Sequence, residues 1–165
     1  MRGMWSALAG VATAETDVPS TVYYAFKQAE AAEDGVTSAG WSSFLQAVVD
    51  NGLLVDGTWP MRSELSNRMR GQASNALASS IVLVCGKRDA QAEPIAKADF
   101  ARRLRSEMPE ALAKIRAASV GPTDIQQAAI GPGIGIFSRY SAVLNPDGSQ
   151  MAVRDGLKLI NQVRE

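Results

Sequence analysis

The sequence predicts an α/β fold in which a small sheet of about three strands is followed by a helical extension. Three patterns carry that reading. Val22, Tyr23, Tyr24 and Phe26 form a β-branched and aromatic run, and Leu77 to Cys85 is almost continuously apolar. Between them, Trp41, Phe44, Leu45, Val48 and Val49 recur at helical spacing. From Ala96 onward the apolar residues keep a helical period. The expected organisation is a sheet unit over residues 1–95 and a helical extension over residues 96–165.

Taken in order, Met4, Trp5, Leu8 and Val11 fit the buried side of a first amphipathic helix. The same stretch loosely matches a secretory leader, but its apolar core is short and broken by Ser6 and Gly10. Asp17-Val18-Pro19-Ser20 is turn chemistry, after which the first strand runs to about Lys27-Gln28. Ser38 is a candidate N-cap for a helix from Ala39 to Asp50, and Asn51-Gly52 supplies its stop. Leu53 to Trp59 reads as a second strand ended by Pro60, and Leu77 to Cys85 as a third, buried on both faces.

In the extension, Phe100, Leu104, Met108, Leu112 and Ile115 form one helical stripe, with Pro109 predicting a break or a sharp kink. Gly121-Pro122 ends that unit, and Thr123 or Asp124 can cap a short helix through Ala129. Gly131-Pro132-Gly133 predicts a junction between helices, Asn145 to Gly148 a turn, and Ser149 the cap of a final helix carrying Val153, Leu157, Ile160 and Val163.

A chain of 165 residues is long enough for one domain with a real core. It has no histidine and one cysteine, Cys85, which excludes an intrachain disulfide, a Cys–His metal cage and a Ser-His-Asp triad. Net charge is zero but segregated: residues 62–105 hold nine basic side chains against four acidic ones, and residues 1–61 hold two against seven. A locally basic middle suits a phosphate-facing surface, or an arginine-rich solvated face. No apolar run is long enough for a membrane helix, so a cytoplasmic protein is expected.

The candidate binding residues lie around the second strand and the polar segment after it. Arg62, Arg68 and Arg70 suit phosphate oxygens and guanine edges, and Asn75 suits an adenine edge. Trp59 either stacks on an extruded base or closes the core at a strand end. Tyr23, Tyr24 and Phe26 read as core and edge packing, and Cys85 as an inert core residue. The run Gly131 to Gly135 could cradle a ligand phosphate only after a strand, and the residues before it look helical.

The segments STVYYAFKQ (20–28), GWSSFLQAVVDNGLL (40–54), GTWPMRSE (57–64) and NALASSIVLVC (75–85) resemble, in order, the part of adenine-specific DNA methyltransferases that follows the catalytic strand. AAIGPGIGIFSRYSAVL (128–144) and SQMAVRDGLKLINQV (149–163) resemble the helical extension of a subgroup that also carries an N-terminal domain of unassigned role. The resemblance implies a partial Rossmann-like methyltransferase sheet whose last strand is antiparallel and central. It also implies DNA as partner, with Trp59, Arg62, Arg68, Arg70 and Asn75 facing it. Members of the family bind S-adenosylmethionine through an aromatic and glycine-rich loop and hold the target amine with an Asp/Asn-Pro-Pro-Tyr/Phe segment. Neither is present, since Asn145-Pro146 continues to Asp147-Gly148, and no catalytic or cofactor-binding residue carries over.

The expectation is therefore the C-terminal segment of an S-adenosylmethionine-dependent DNA adenine-N6 methyltransferase. It would be inactive and cofactor-free alone, with a first strand whose open edge is covered by the N-terminal helix or by a second copy in a homodimer. The alternatives are a non-catalytic nucleic-acid-binding module and a protein-interaction module.

Overall fold

The computed structural model of the chain describes residues 18–25, 39–62, 79–117 and 130–164, with Ala7 and Gly10. The first amphipathic helix, the helix before Ala129, and the residues Phe26, Arg68, Arg70 and Asn75 lie outside the described residues. The described chain is mixed α/β. Strand β1 spans Ser20–Ala25, helix α1 Ala39–Asp50, β2 Leu53–Arg62, β3 Ser79–Lys87 and β4 Ile95–Ala96. Helix α2 spans Lys97–Ala117, α3 Ile130–Ser138, β5 Val143–Leu144 and α4 Val153–Arg164.

The main sheet has the order β1-β3-β2, with β3 antiparallel to both neighbours. Strands β1 and β2 are therefore parallel to each other and joined through α1, while the strand latest in sequence occupies the centre. The uninterrupted apolar character of Ile81 to Cys85 suits that central position.

Helix α1 ends as its sequence dictates: Trp41, Leu45, Val48 and Val49 are buried, and Gly52 stops the helix with a φ of 73°, while the candidate N-cap Ser38 lies outside the described residues. Trp41 and Phe44 stack at 5.4 Å, and Tyr24 of β1 leans on both. One continuous core joins α1, the inner face of the sheet, and helices α2 to α4. Phe100 meets Phe137 edge-on at 5.4 Å within it.

Five expectations are corrected. Strand β2 continues through Pro60 to Arg62; it lies at the sheet edge, where a missing N–H facing away from the neighbour costs no ladder bond. Helix α2 runs unbroken through Pro109. A mid-helix proline costs about 3 kcal/mol. Burying Phe100, Leu104, Met108 and Leu112 along one stripe offsets this, at about 1.5–3 kcal/mol each.

Gly131 to Gly135 is no junction but lies within α3, with Pro132 in the first turn, where its lacking donor is unpaired in any helix. Residues after Ala96 are not all helical: Val143 and Leu144 pair in parallel with Ile95 and Ala96, in stretches too short to show a period of two. Ser149 does not cap α4. It turns back onto Asp147, its amide donating to Oδ1 at 2.9 Å and its hydroxyl at 2.6 Å. The amide of Val153 instead donates to Gln46 Oε1 of α1 at 2.8 Å.

Among the described residues no helix is long and apolar enough to cross a membrane.

Candidate functional site

The site is set by one irregularity in β2. Register shifts between Val55 and Gly57, so that Asp56 is an extra residue in a β-bulge. A bulge reverses which alternate residues face the core. Leu53 and Val55 are buried before it, whereas after it Thr58 pairs with the buried Leu83 and Trp59 pairs with Val82. Unbroken alternation would put Trp59 beside Leu53 and Val55 in the core. The bulge turns it to the outer face, where it is 57% exposed. The expected core-closing role of Trp59 is thereby corrected.

Strand β1 completes the outer face. Val22 and Tyr24 pack on the core, so Tyr23 between them points the other way and is 66% exposed. Tyr23 and Trp59 are both register partners of Val82. The three form one row across the sheet, aromatic, aliphatic, aromatic. Val82 is buried yet stands apart from the core cluster that takes Ile81 and Leu83 on either side of it. Reading Tyr23 as core packing is thus also corrected; the alternation of Val22 and Tyr24 with it was the available signal. In the next row, Gly57 gives its space to the Trp59 ring, whose Cη2 and Cζ3 lie 2.8 Å from where a Cβ would stand.

A groove of about 530 Å³ follows the β2 edge between that strand, α2 and α3, lined among others by Leu54, Thr58, Trp59, Ala111 and Ile115. Arg139, just past the end of α3, donates to Glu107 of α2 at 2.7 Å along it. Lys114 pairs with Glu110 at 2.8 Å and holds that carboxyl below the usual carboxylate range. The β2 edge is closed at Val55, whose amide donates to Ser138 Oγ at 2.9 Å. The Thr58 hydroxyl is buried without a hydrogen-bond partner among the described residues.

Of the sequence-predicted binding residues, Trp59 is on the outer face and Arg62 is the last residue of β2. Arg68, Arg70 and Asn75 fall outside the described residues, in the connection between β2 and β3. Cys85 is fully buried, and desolvation, reinforced by the Asp56 carboxylate, pushes its thiol up to about 11. It is therefore protonated at neutral pH and inert as a nucleophile. Among the described residues no group of three or more His, Cys, Asp or Glu is placed to hold a metal ion. Among the described residues the site offers exposed ring surface at Tyr23 and Trp59, with Lys114 and Arg139 of the groove held in ion pairs.

Comparison with protein-family models, curated proteins and solved structures gives no match.

Proposed function

We propose that this chain is the distal segment of an S-adenosylmethionine-dependent DNA adenine-N6 methyltransferase, supplying half of a Rossmann-like sheet and a DNA-facing connection. The observation that carries the reading is the strand order β1-β3-β2 with an antiparallel central β3. It is the arrangement that the resemblance implies, and local hairpin formation alone does not require β1 to join on the far side of β3. The outer edge of β1 has no partner strand among the described residues, which suits a neighbour supplied by a separate part of the sheet.

The donor site belongs to that separate part. The glycine-rich run of this chain does not fit a cradle for S-adenosylmethionine. The space above Gly131 is taken by Thr58 and that above Gly133 by Ile160, so the glycines serve helix packing. No step of methyl transfer is therefore assigned to these residues. Their part is to hold the sheet and to present Trp59, Arg62, Arg68, Arg70 and Asn75 to the duplex.

Two measurements test this. With labelled S-adenosylmethionine and adenine-containing duplex, the purified chain transfers no methyl group; transfer by the chain alone would overturn the assignment of the pocket to another part. Duplex binding weakens with salt, and joint replacement of Arg62, Arg68 and Arg70 by Ala reduces the slope of log affinity against log salt by roughly 2–3 units. An unchanged slope removes the DNA-facing role.

A second reading, a non-catalytic nucleic-acid-binding module, is favoured by the exposed Tyr23 and Trp59.

A further inference from the structure

We infer that the outer face of the sheet is a stacking platform for unpaired nucleic-acid bases, with Tyr23 and Trp59 as its two ring surfaces and Val82 as the floor between them. The inference goes beyond methyl transfer to duplex adenine and stands on the geometry of this face.

Three observations converge. Large aromatics are seldom left outside on a sheet that has a core to fill, yet Tyr23 and Trp59 are 66% and 57% exposed. They occupy one register row, separated by a single strand. Neighbouring strands lie about 4.8 Å apart, so their Cα atoms stand roughly 10 Å from each other. Two rings at that separation, with a short aliphatic residue between, leave both ring faces accessible from one side.

The indole is also held in place. Its six-membered ring lies over Gly57, and the bulge at Asp56 is what turns it outward. A ring so fixed loses little freedom when a base stacks on it, and stacking is indifferent to which base is present. Paired bases stacked within a duplex do not offer their faces; unpaired ones do.

Beyond the row of Val84 and Gly57, the Asp56 carboxylate lies over Gly86, with Oδ2 2.8 Å from where a Cβ would be. A single strand is accordingly expected to lie with its bases on Tyr23 and Trp59, away from that carboxylate.

The test uses the full chain, a short labelled oligo(dA) and a blunt duplex of the same length containing it, at fixed low salt. The single strand binds more tightly than the duplex. Trp59→Ala and Tyr23→Ala each weaken single-strand binding roughly tenfold or more, the fold-change that loss of one stacked base brings. Trp59→Phe and Tyr23→Phe retain most of the affinity, and all four leave the salt slope unchanged because no phosphate contact is removed. Both side chains are exposed, so unchanged circular dichroism and melting verify the fold of each variant.

Alanine variants that bind as tightly as the parent overturn the inference, as does a parent that binds no single strand or prefers the duplex. The arginine variants separate this outcome from the methyltransferase reading. If they alter duplex binding while the aromatic variants alter nothing, only the platform is lost.

Discussion

Gly131 lies so close to Thr58 that a Cβ on the glycine would sit 1.7 Å from the threonine Oγ1 and 2.8 Å from its Cβ. That approach seats α3 against the edge strand β2, two residues past the bulge at Asp56. Replacing Gly131 by Ala improves helix propensity by about 1 kcal/mol but drives a methyl group into a β-branched side chain. We expect the clash to win, with a net loss of about 2 kcal/mol and a melting temperature lower by roughly 4–8 °C. Adding Thr58→Ala should recover part of the loss. Additive effects in that double-mutant cycle would show that the two residues do not compete for the same space.

The Thr58 hydroxyl buries a polar atom without a hydrogen-bond partner among the described residues. Its desolvation is uncompensated, a cost of about 1–3 kcal/mol in mutational series. Thr58→Val keeps the β-branched shape and removes the hydroxyl. The valine methyl is bulkier than the hydroxyl that already crowds Gly131, so relief of the desolvation cost and the added crowding should offset each other. Stability should stay within about 1 kcal/mol of the parent in denaturant titration, with an unchanged m-value. A loss well beyond that would mean that the hydroxyl contributes a hydrogen bond.

Helix α4 is capped from a distance. Gln46 Oε1 accepts from the Val153 amide at 2.8 Å, and the Gln46 amide donates to Asp50 at 2.7 Å, which orients it. Gln46→Ala leaves the α4 amide without its acceptor and should cost about 1 kcal/mol, as loss of a helix N-cap does. Gln46→Glu keeps the acceptor and adds charge at the positive end of the helix, so it should retain most of the stability. Its carboxylate would face Asp50, which limits the gain.

That cap shows where the sequence stops being legible. Local patterns were readable: the stripe of Trp41, Leu45, Val48 and Val49 with its Gly52 stop, and the apolar run that became the central β3. The stripe from Phe100 to Leu112 was readable too, though the proline rule misjudged its continuity, because burial of four large side chains outweighs one lost backbone bond.

Relationships between distant segments were not readable. Gln46 on Val153, the parallel pairing of Ile95 with Val143, and Gly131 on Thr58 each join residues tens of positions apart. The direction of Trp59 is of the same kind. The sequence leaves it between stacking on a base and closing the core, and only pairing with β3 reveals the extra residue at Asp56 that turns it outward.

Cys85 gives the fold a measurable alkaline limit. Its thiol is fully buried on the core face of β3, and burial first, then the nearby Asp56 carboxylate, raises it from 9.0 to about 11. The native state thus holds this proton more tightly than the unfolded chain does. The corresponding stability is fully present below pH 9, where both states are protonated, and is lost as pH rises towards about 11. A shift of this size is worth roughly 2–3 kcal/mol once complete. Unfolding free energies measured across that window should therefore fall more steeply for the parent than for Cys85→Ala, which lowers stability at every pH but lacks this titration. The comparison removes the contribution of tyrosines and lysines that ionise in the same range. Parallel pH profiles for the two proteins would show that the thiol is not desolvated as the structure has it.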